Sequence, residues 1–98
     1  MTVIRHVVFR GRVQGVGFRV FVEDVAVRRR IAGWVRNRRV GTVEAVLAGP
    51  AEAVDAVIEA CRNGPRQARV DVIDQRDASK DELALLESRD SFVVLPTV

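Results

Sequence analysis

GRVQGVGFRVF, residues 11–21, joins a strand-like run to a helical run and sets the start of the fold. The run before it, Val3 to Arg10, is rich in β-branched residues and predicts a first strand. From Phe18 onward, apolar residues recur at i, i+3, i+4 and i+7, the spacing of a helix with one face in the core. The sequence therefore predicts a strand, a glycine-containing loop, and a helix that ends near Arg30.

The rest of the chain predicts a hairpin, a second helix and two more strands. Gly41 separates two short strand-like runs, and Pro50 opens a helical run that stops at Asn63 and Gly64. The strands expected after the first are Ile31–Arg36, Thr42–Ala48, Ala68–Ile73 and Ser91–Leu95. This β-α-β-β-α-β order with an added C-terminal strand predicts an α+β fold. It is the ferredoxin-like α/β sandwich, in which two helices cover one face of an antiparallel sheet.

The segment SKDELALLES, residues 79–88, is open to two interpretations. Ser79 and Glu82 stand at the spacing of a capping box, which favours a short helix. A polar connecting loop fits the same composition equally well. The sequence leaves the conformation of Asp77 to Ser88 undecided.

Length, composition and charge limit the class of protein. The 98 residues suit one domain spanning 1–98, and no apolar run approaches the roughly 20 residues of a membrane span. The opening MTVIRHVV lacks the apolar stretch of a signal peptide, so we expect a cytoplasmic protein. The net charge of +3 favours an anionic substrate or partner without identifying it.

The single cysteine and the single histidine exclude several kinds of site. Cys61 cannot form an internal disulfide, and its apolar neighbours predict a core residue rather than a nucleophile. His6 alone cannot build a metal site, and we expect it to be a partly exposed residue of the sheet. Trp34 and the phenylalanines are expected to pack in the core or at its edge. We therefore expect no cofactor, no metal and no covalent intermediate.

The glycine loop and Arg19 form the candidate site. Glycines let successive backbone N–H groups point at one spot, and the following helix adds its own unpaired donors, so the loop can hold an anion. The alternative is that Gly11, Gly15 and Gly17 simply make a strand-to-helix turn. A cation in the first turn of a helix is mildly unfavourable. The position of Arg19 therefore favours a two-pronged phosphate clamp over an ordinary surface arginine.

The motifs GRVQGVGFR, GWVRN and GTVE occur in this order and resemble those of the acylphosphatase family, small enzymes that hydrolyse carboxyl-phosphate anhydrides. The resemblance continues through GPRQARVDV and, more loosely, to FVV at residues 92–94. It implies an acyl phosphate as the small-molecule substrate, Arg19 as the phosphate clamp, and Asn37 as the residue that orients the attacking water. The phosphate cradle that it implies is the backbone of Gln14, Gly15, Val16, Gly17 and Phe18 together with Arg19.

Two features depart from that family pattern. Val40 stands where an aspartate commonly precedes the hairpin glycine, and the segment Asp77 to Ser88 is longer than usual. The first departure bears on the geometry of the hairpin turn. The second bears on the alignment of the C-terminal strand.

A second hypothesis is an RNA-binding or non-catalytic anion-binding module on the same fold. VGFRVFV, residues 16–22, faintly echoes the aromatic strand motif of RNA-recognition domains. Here, however, the motif follows the first strand and has a helical period, which predicts core-facing aromatic rings. We therefore expect an enzyme without a nucleic-acid partner. We also expect the protein to be a monomer.

Overall fold

The computed structural model describes residues 1–83 and 91–98. Its elements, in chain order, are β1 (Thr2–Arg12), α1 (Phe18–Arg28), β2 (Ala32–Asn37), β3 (Val43–Pro50), α2 (Ala51–Asn63), β4 (Arg69–Asp77), α3 (Lys80–Leu83) and β5 (Phe92–Val94). The predicted β-α-β-β-α-β order with an added strand is confirmed. None of the helices in the described ranges is long and apolar enough to cross a membrane.

The five strands form one sheet in the order β4-β1-β3-β2-β5. The pairs β1–β3, β1–β4 and β2–β3 are antiparallel, as expected for the ferredoxin-like unit, whereas β5 runs parallel to β2. The sheet is therefore mixed rather than antiparallel throughout. Strands β4 and β5 lie at opposite edges of the sheet, so they are not joined by a tight hairpin. The last strand, β5, can therefore run parallel to its neighbour β2.

The core lies between the sheet and the pair of helices α1 and α2. Alternate residues of β1 and β3 point to this side, and the predicted helical faces pack against them. The buried members from the strands are Val7, Phe9, Val35, Val43, Ala45, Leu47 and Phe92, and those from the helices are Phe18, Val22, Ala26, Val54, Val57, Ile58 and Cys61. Both predicted amphipathic faces, and the core position of Cys61, are confirmed.

Helix α3 covers part of the opposite face of the sheet. The indole Nε1 of Trp34, a residue only 2% exposed, donates to the carbonyl oxygen of Glu82 at 2.8 Å. Ser79 and Glu82 form the capping box, with Glu82 N donating to Ser79 Oγ at 3.2 Å. Of the two interpretations of this segment, the short helix is found. The rest of the segment, residues 84–88, lies outside the described residues.

Several element boundaries differ from the sequence-based expectation, most clearly at Gly11. Strand β1 continues to Arg12, with a shift of its pairing to β4 between Arg10 and Gly11. A Cβ on Gly11 would lie 2.2 Å from the carbonyl oxygen of Arg69. Gly11 therefore belongs to a bulged strand and not to the loop. Similarly, Pro50 ends β3 and caps α2 instead of opening the helix.

Candidate functional site

The loop between β1 and α1 is shaped by Gly15 and Gly17. Both have left-handed backbone angles, with φ of 73° and 78°, and Gly17 is the N-cap of α1. An added Cβ would meet no atom within 4 Å at either position. Backbone conformation rather than lack of space therefore calls for glycine at both positions.

The backbone N–H groups of this loop have no acceptor within the described part of the protein. No backbone hydrogen bond among residues 1–83 and 91–98 uses the N–H groups of Gln14 to Arg19 as donors, and α1 has no side-chain N-cap. The first donor of this region with a partner is Phe21 N, bonded to Gly17 O at 3.1 Å. Unpaired donors at a helix start carry partial positive charge, which is the electrostatic environment that favours an anion.

A small pocket opens beside these donors. It has a volume of about 120 Å³ and is lined by Val13, Gly15, Gly17, Phe18, Arg19, Val20 and Asn37. Pockets for drug-sized ligands usually occupy roughly 300–1,000 Å³. The pocket therefore suits a group the size of phosphate better than a nucleotide.

Arg19 and Asn37 reach the pocket from different elements. Arg19 is the second residue of α1, whose first turn contains no acidic residue, and it forms no ion pair with the described residues. Asn37 is the last residue of β2, and its Oδ1 is buried without a hydrogen-bond donor in the described ranges. The fold thus brings together a cation and an unsatisfied acceptor that stand 18 positions apart in the sequence.

The remaining residues expected in the cradle are Gln14, Val16 and Phe18. Gln14 and Val16 do not line the pocket with Gly15 and Gly17, and Val16 packs against the core. The ring of Phe18 is buried edge-on against Phe9, with 5.1 Å between ring centroids. Val13 and Val20 also line the pocket and were not predicted, because no local sequence signal indicates that position.

Glu44 organises a charged cluster on the face of the sheet opposite α1 and α2. Its Oε1 accepts from Arg36 Nε at 2.7 Å and Arg38 Nη1 at 3.1 Å, and its Oε2 lies 2.7 Å from His6 Nε2. Because an ionised carboxylate only accepts, His6 donates from Nε2. Burial raises the pKa of Glu44, but the bonds from His6 and Arg36 outweigh it and leave that pKa below its ordinary value. The alternation of side chains along each strand is a sequence signal that could have predicted that these side chains share one face of the sheet.

Cys61 and the acidic side chains are the remaining groups that could supply other catalytic chemistry. Burial raises the pKa of the Cys61 thiol to about 12, so this side chain is a poor nucleophile at neutral pH. Among the residues that the structure describes, no three His, Cys, Asp or Glu side chains come together in a way that could hold a metal ion.

Comparison with known proteins gives a consistent result. The family model for acylphosphatase matches residues 5–92. An acylphosphatase of Rhodopseudomonas palustris (strain BisB18) is 52% identical over 97 residues, which cover 99% of this chain and 98% of that protein. One of Nitrobacter hamburgensis is 49% identical over 96 residues, covering 98% and 97%. The crystal structure of acylphosphatase from Bacillus subtilis superposes with a TM-score of 0.84 at 37% identity, covering 97% of this chain and 99% of that chain.

Proposed function

The chain belongs to the acylphosphatase family and is a hydrolase that acts on acid anhydrides, and we propose that water attacks its acyl phosphate substrate directly in the small pocket. Phosphate is held by the backbone N–H groups of Gln14 to Phe18 and by Arg19, and Asn37 orients the water. The observation that carries this assignment is the row of donors at Gln14 to Arg19 without acceptors in the described part of the chain.

The donors and Arg19 supply the electrostatics that phosphoryl transfer requires. Charge on the transferred group is spread over its equatorial oxygens, so catalysis depends on positioning and on stabilisation of negative charge. The N–H groups are fixed by the loop and the helix before substrate arrives, and fixed dipoles stabilise charge without reorganisation. The guanidinium of Arg19 adds a planar pair of donors that matches two phosphate oxygens.

The reaction needs only water besides the substrate. The water oxygen bonds to phosphorus, and the bond between phosphorus and the acyl oxygen breaks. The carboxylate leaves as an anion without being protonated, and both water protons stay with the inorganic phosphate, which forms as H₂PO₄⁻. Asn37 Oδ1 can accept a hydrogen bond from the water and hold it in line, because a carboxamide does not change its protonation near neutral pH.

The same proposal covers the cellular setting. We propose that residues 1–98 act as one acylphosphatase-like domain, as a monomer in the cytoplasm, without cofactor, metal or nucleic-acid partner. In support of the monomer, the phosphate loop, Arg19 and Asn37 all come from one chain. The comparisons do not favour the alternative of an RNA-binding or non-catalytic anion-binding module.

Hydrolysis of benzoyl phosphate by the wild type and by Arg19→Lys tests the proposal. We expect the wild type to release phosphate, with inorganic phosphate as a competitive inhibitor. Arg19→Lys keeps the charge but loses the forked geometry, so its activity should fall by about 100-fold. The matched control is Arg66→Lys, the same change at an exposed arginine outside the pocket. Wild-type turnover in folded Arg19→Lys would remove the clamp from the mechanism, and an inactive wild type would refute the function.

A further inference from the structure

The side chain of Gln14 connects the phosphate loop to the hairpin that carries Asn37. Its Nε2 donates to the carbonyl oxygen of Arg38 at 2.7 Å and to that of Thr42 at 2.8 Å. Both acceptors are backbone carbonyls, so only the NH₂ end of the carboxamide can face them, and its orientation is fixed. These two bonds are separate from the backbone N–H that Gln14 contributes to the cradle.

The two carbonyls belong to the turn that immediately follows Asn37. Arg38 O also accepts from Gly41 N at 3.0 Å, and Thr42 O also accepts from Arg38 N at 2.9 Å. Asn37 itself pairs with Val43 across the hairpin. Gln14 therefore supplies a second donor to each of the two carbonyls that close the turn. Arg38 is next to Asn37 in the sequence, and Thr42 is next to Val43, the residue that pairs with Asn37.

The hairpin is also held from the other face of the sheet. Glu44 accepts from the side chains of Arg36 and Arg38, the residues on either side of Asn37. With Arg36 and Arg38 tied to one carboxylate, the end of β2 is a rigid support. The hydrogen bonds from Gln14 to the turn after β2 therefore set the distance between the loop and Asn37.

We propose that the Gln14 side chain is a positioning residue, which holds the phosphate cradle in register with the water-orienting Asn37. The inference rests on the proposed function, because it assumes that phosphate binds in the loop and that Asn37 orients the water. The Gln14 carboxamide does not line the pocket, and it acts by keeping the loop and the hairpin at a fixed distance.

This role predicts a loss of rate without a matching loss of phosphate affinity. Gln14→Met keeps the length of the side chain and removes both donors. The loop glycines and Arg19 would still form the cradle, whereas Asn37 would no longer be aligned with the phosphorus. A misplacement of about 1 Å can lower a rate by about 100-fold, so we expect kcat to fall by about 10- to 100-fold.

A double-mutant cycle with Asn37→Ala separates positioning from general damage. We would measure kcat for benzoyl phosphate and the inhibition constant of inorganic phosphate in the wild type, Gln14→Met, Asn37→Ala and the double variant. If Gln14 acts through Asn37, Gln14→Met should lower kcat by less than about three-fold when Asn37 is already absent. The phosphate constant of Gln14→Met should stay within about three-fold of wild type. Gln67→Met, the same change at an exposed site, is the matched control and should leave both constants unchanged.

Several results would overturn the proposal. Equal losses of kcat in the two backgrounds, an unchanged kcat in Gln14→Met, or a parallel collapse of phosphate affinity would each exclude positioning through Asn37. If Gln14→Met does not fold by circular dichroism, Gln14→Asn keeps the amide but is too short to reach the carbonyls, and should show the same loss. Failure of both variants to fold would make the role structural. Wild-type kcat in Asn37→Ala would refute the proposed function itself, whereas a loss there without one in Gln14→Met would refute the Gln14 role alone.

Discussion

Replacing Asn37 with alanine should lower activity without lowering stability. The Oδ1 atom of Asn37 is buried, and no donor in residues 1–83 or 91–98 reaches it. Within these residues Oδ1 makes no hydrogen bond that stabilises the fold, and its proposed partner is a water in the pocket. The alanine variant removes this acceptor beside an open pocket, where water can fill the space left behind. We therefore expect the free energy of unfolding to stay within about 1 kcal/mol of the wild type.

The value of kcat, in contrast, should fall strongly in Asn37→Ala. In the proposed mechanism, Asn37 holds a water whose alignment matters only on the way to the transition state. Loss of such an orienting group costs about 100-fold in kcat, which corresponds to about 3 kcal/mol of barrier. The affinity for inorganic phosphate should remain within a few-fold of wild type, because the loop donors and Arg19 are unchanged.

Three measurements on one variant test this reasoning. Urea unfolding gives the stability, initial rates with benzoyl phosphate give kcat, and inhibition by inorganic phosphate gives the affinity of the cradle. Asn63→Ala, at the exposed end of α2, controls for the substitution itself. A phosphate affinity that collapses together with kcat would make Asn37 a binding residue. A loss of more than about 2 kcal/mol in stability would show that its side chain is structural.

The remaining predictions concern cysteine chemistry, metals and acid stability. Native enzyme should keep full activity in iodoacetamide, because burial raises the pKa of Cys61 to about 12, and inactivation at neutral pH would contradict this. Activity should also persist in EDTA, since the loop donors and Arg19 are expected to neutralise the phosphate, and a loss reversed by a divalent ion would contradict it. Glu44→Gln should reduce stability at pH 7 by about 1–3 kcal/mol. Because the folded pKa of Glu44 lies below its ordinary value of 4.5, the ionised group stabilises fully above that value, and the contribution disappears as the pH falls through the folded pKa. Urea unfolding at several pH values measures it, and a difference that does not shrink in acid would refute the assignment.

Local sequence rules predicted the order of the helices and strands, but not the direction of β5 or the residue at which β1 ends. Alternation along the strands and the helical spacing after Phe18 each match a face that is buried in the structure. The direction of β5 is not encoded in this way, because three residues, Phe92–Val94, pair equally well in either sense, and their direction depends on the connection. The continuation of β1 past Gly11 depends on a bulge against β4, a contact with residues nearly 60 positions away.

The part of the candidate site that departs from the usual residue preferences of a helix start could be identified from the sequence. An arginine in the first turn of α1 and glycines before it are anomalies that can be detected in the sequence without a structure. Asn37 has no such signal, since an asparagine at the end of a strand is ordinary, and only the family resemblance pointed to it. The side-chain role of Gln14 depends on bonds to residues 24 and 28 positions away, and no local pattern indicates contacts of that kind.

The start of α1 shows how the protein keeps its anion site ready before the anion arrives. A helix whose N-cap is glycine, as Gly17 is here, loses only a few tenths of a kcal/mol relative to one capped by a side chain, and a cation in its first turn costs about 0.3–1 kcal/mol. Burial of an aromatic or aliphatic side chain contributes roughly 1.5–3 kcal/mol each, and α1 buries Phe18 and Val22 completely. The core therefore outweighs the unfavourable start, and the helix does not depend on the anion to form. In the proposed mechanism, binding therefore need not form the helix, so the interaction energy of the unpaired donors remains available to the phosphate and to its transition state.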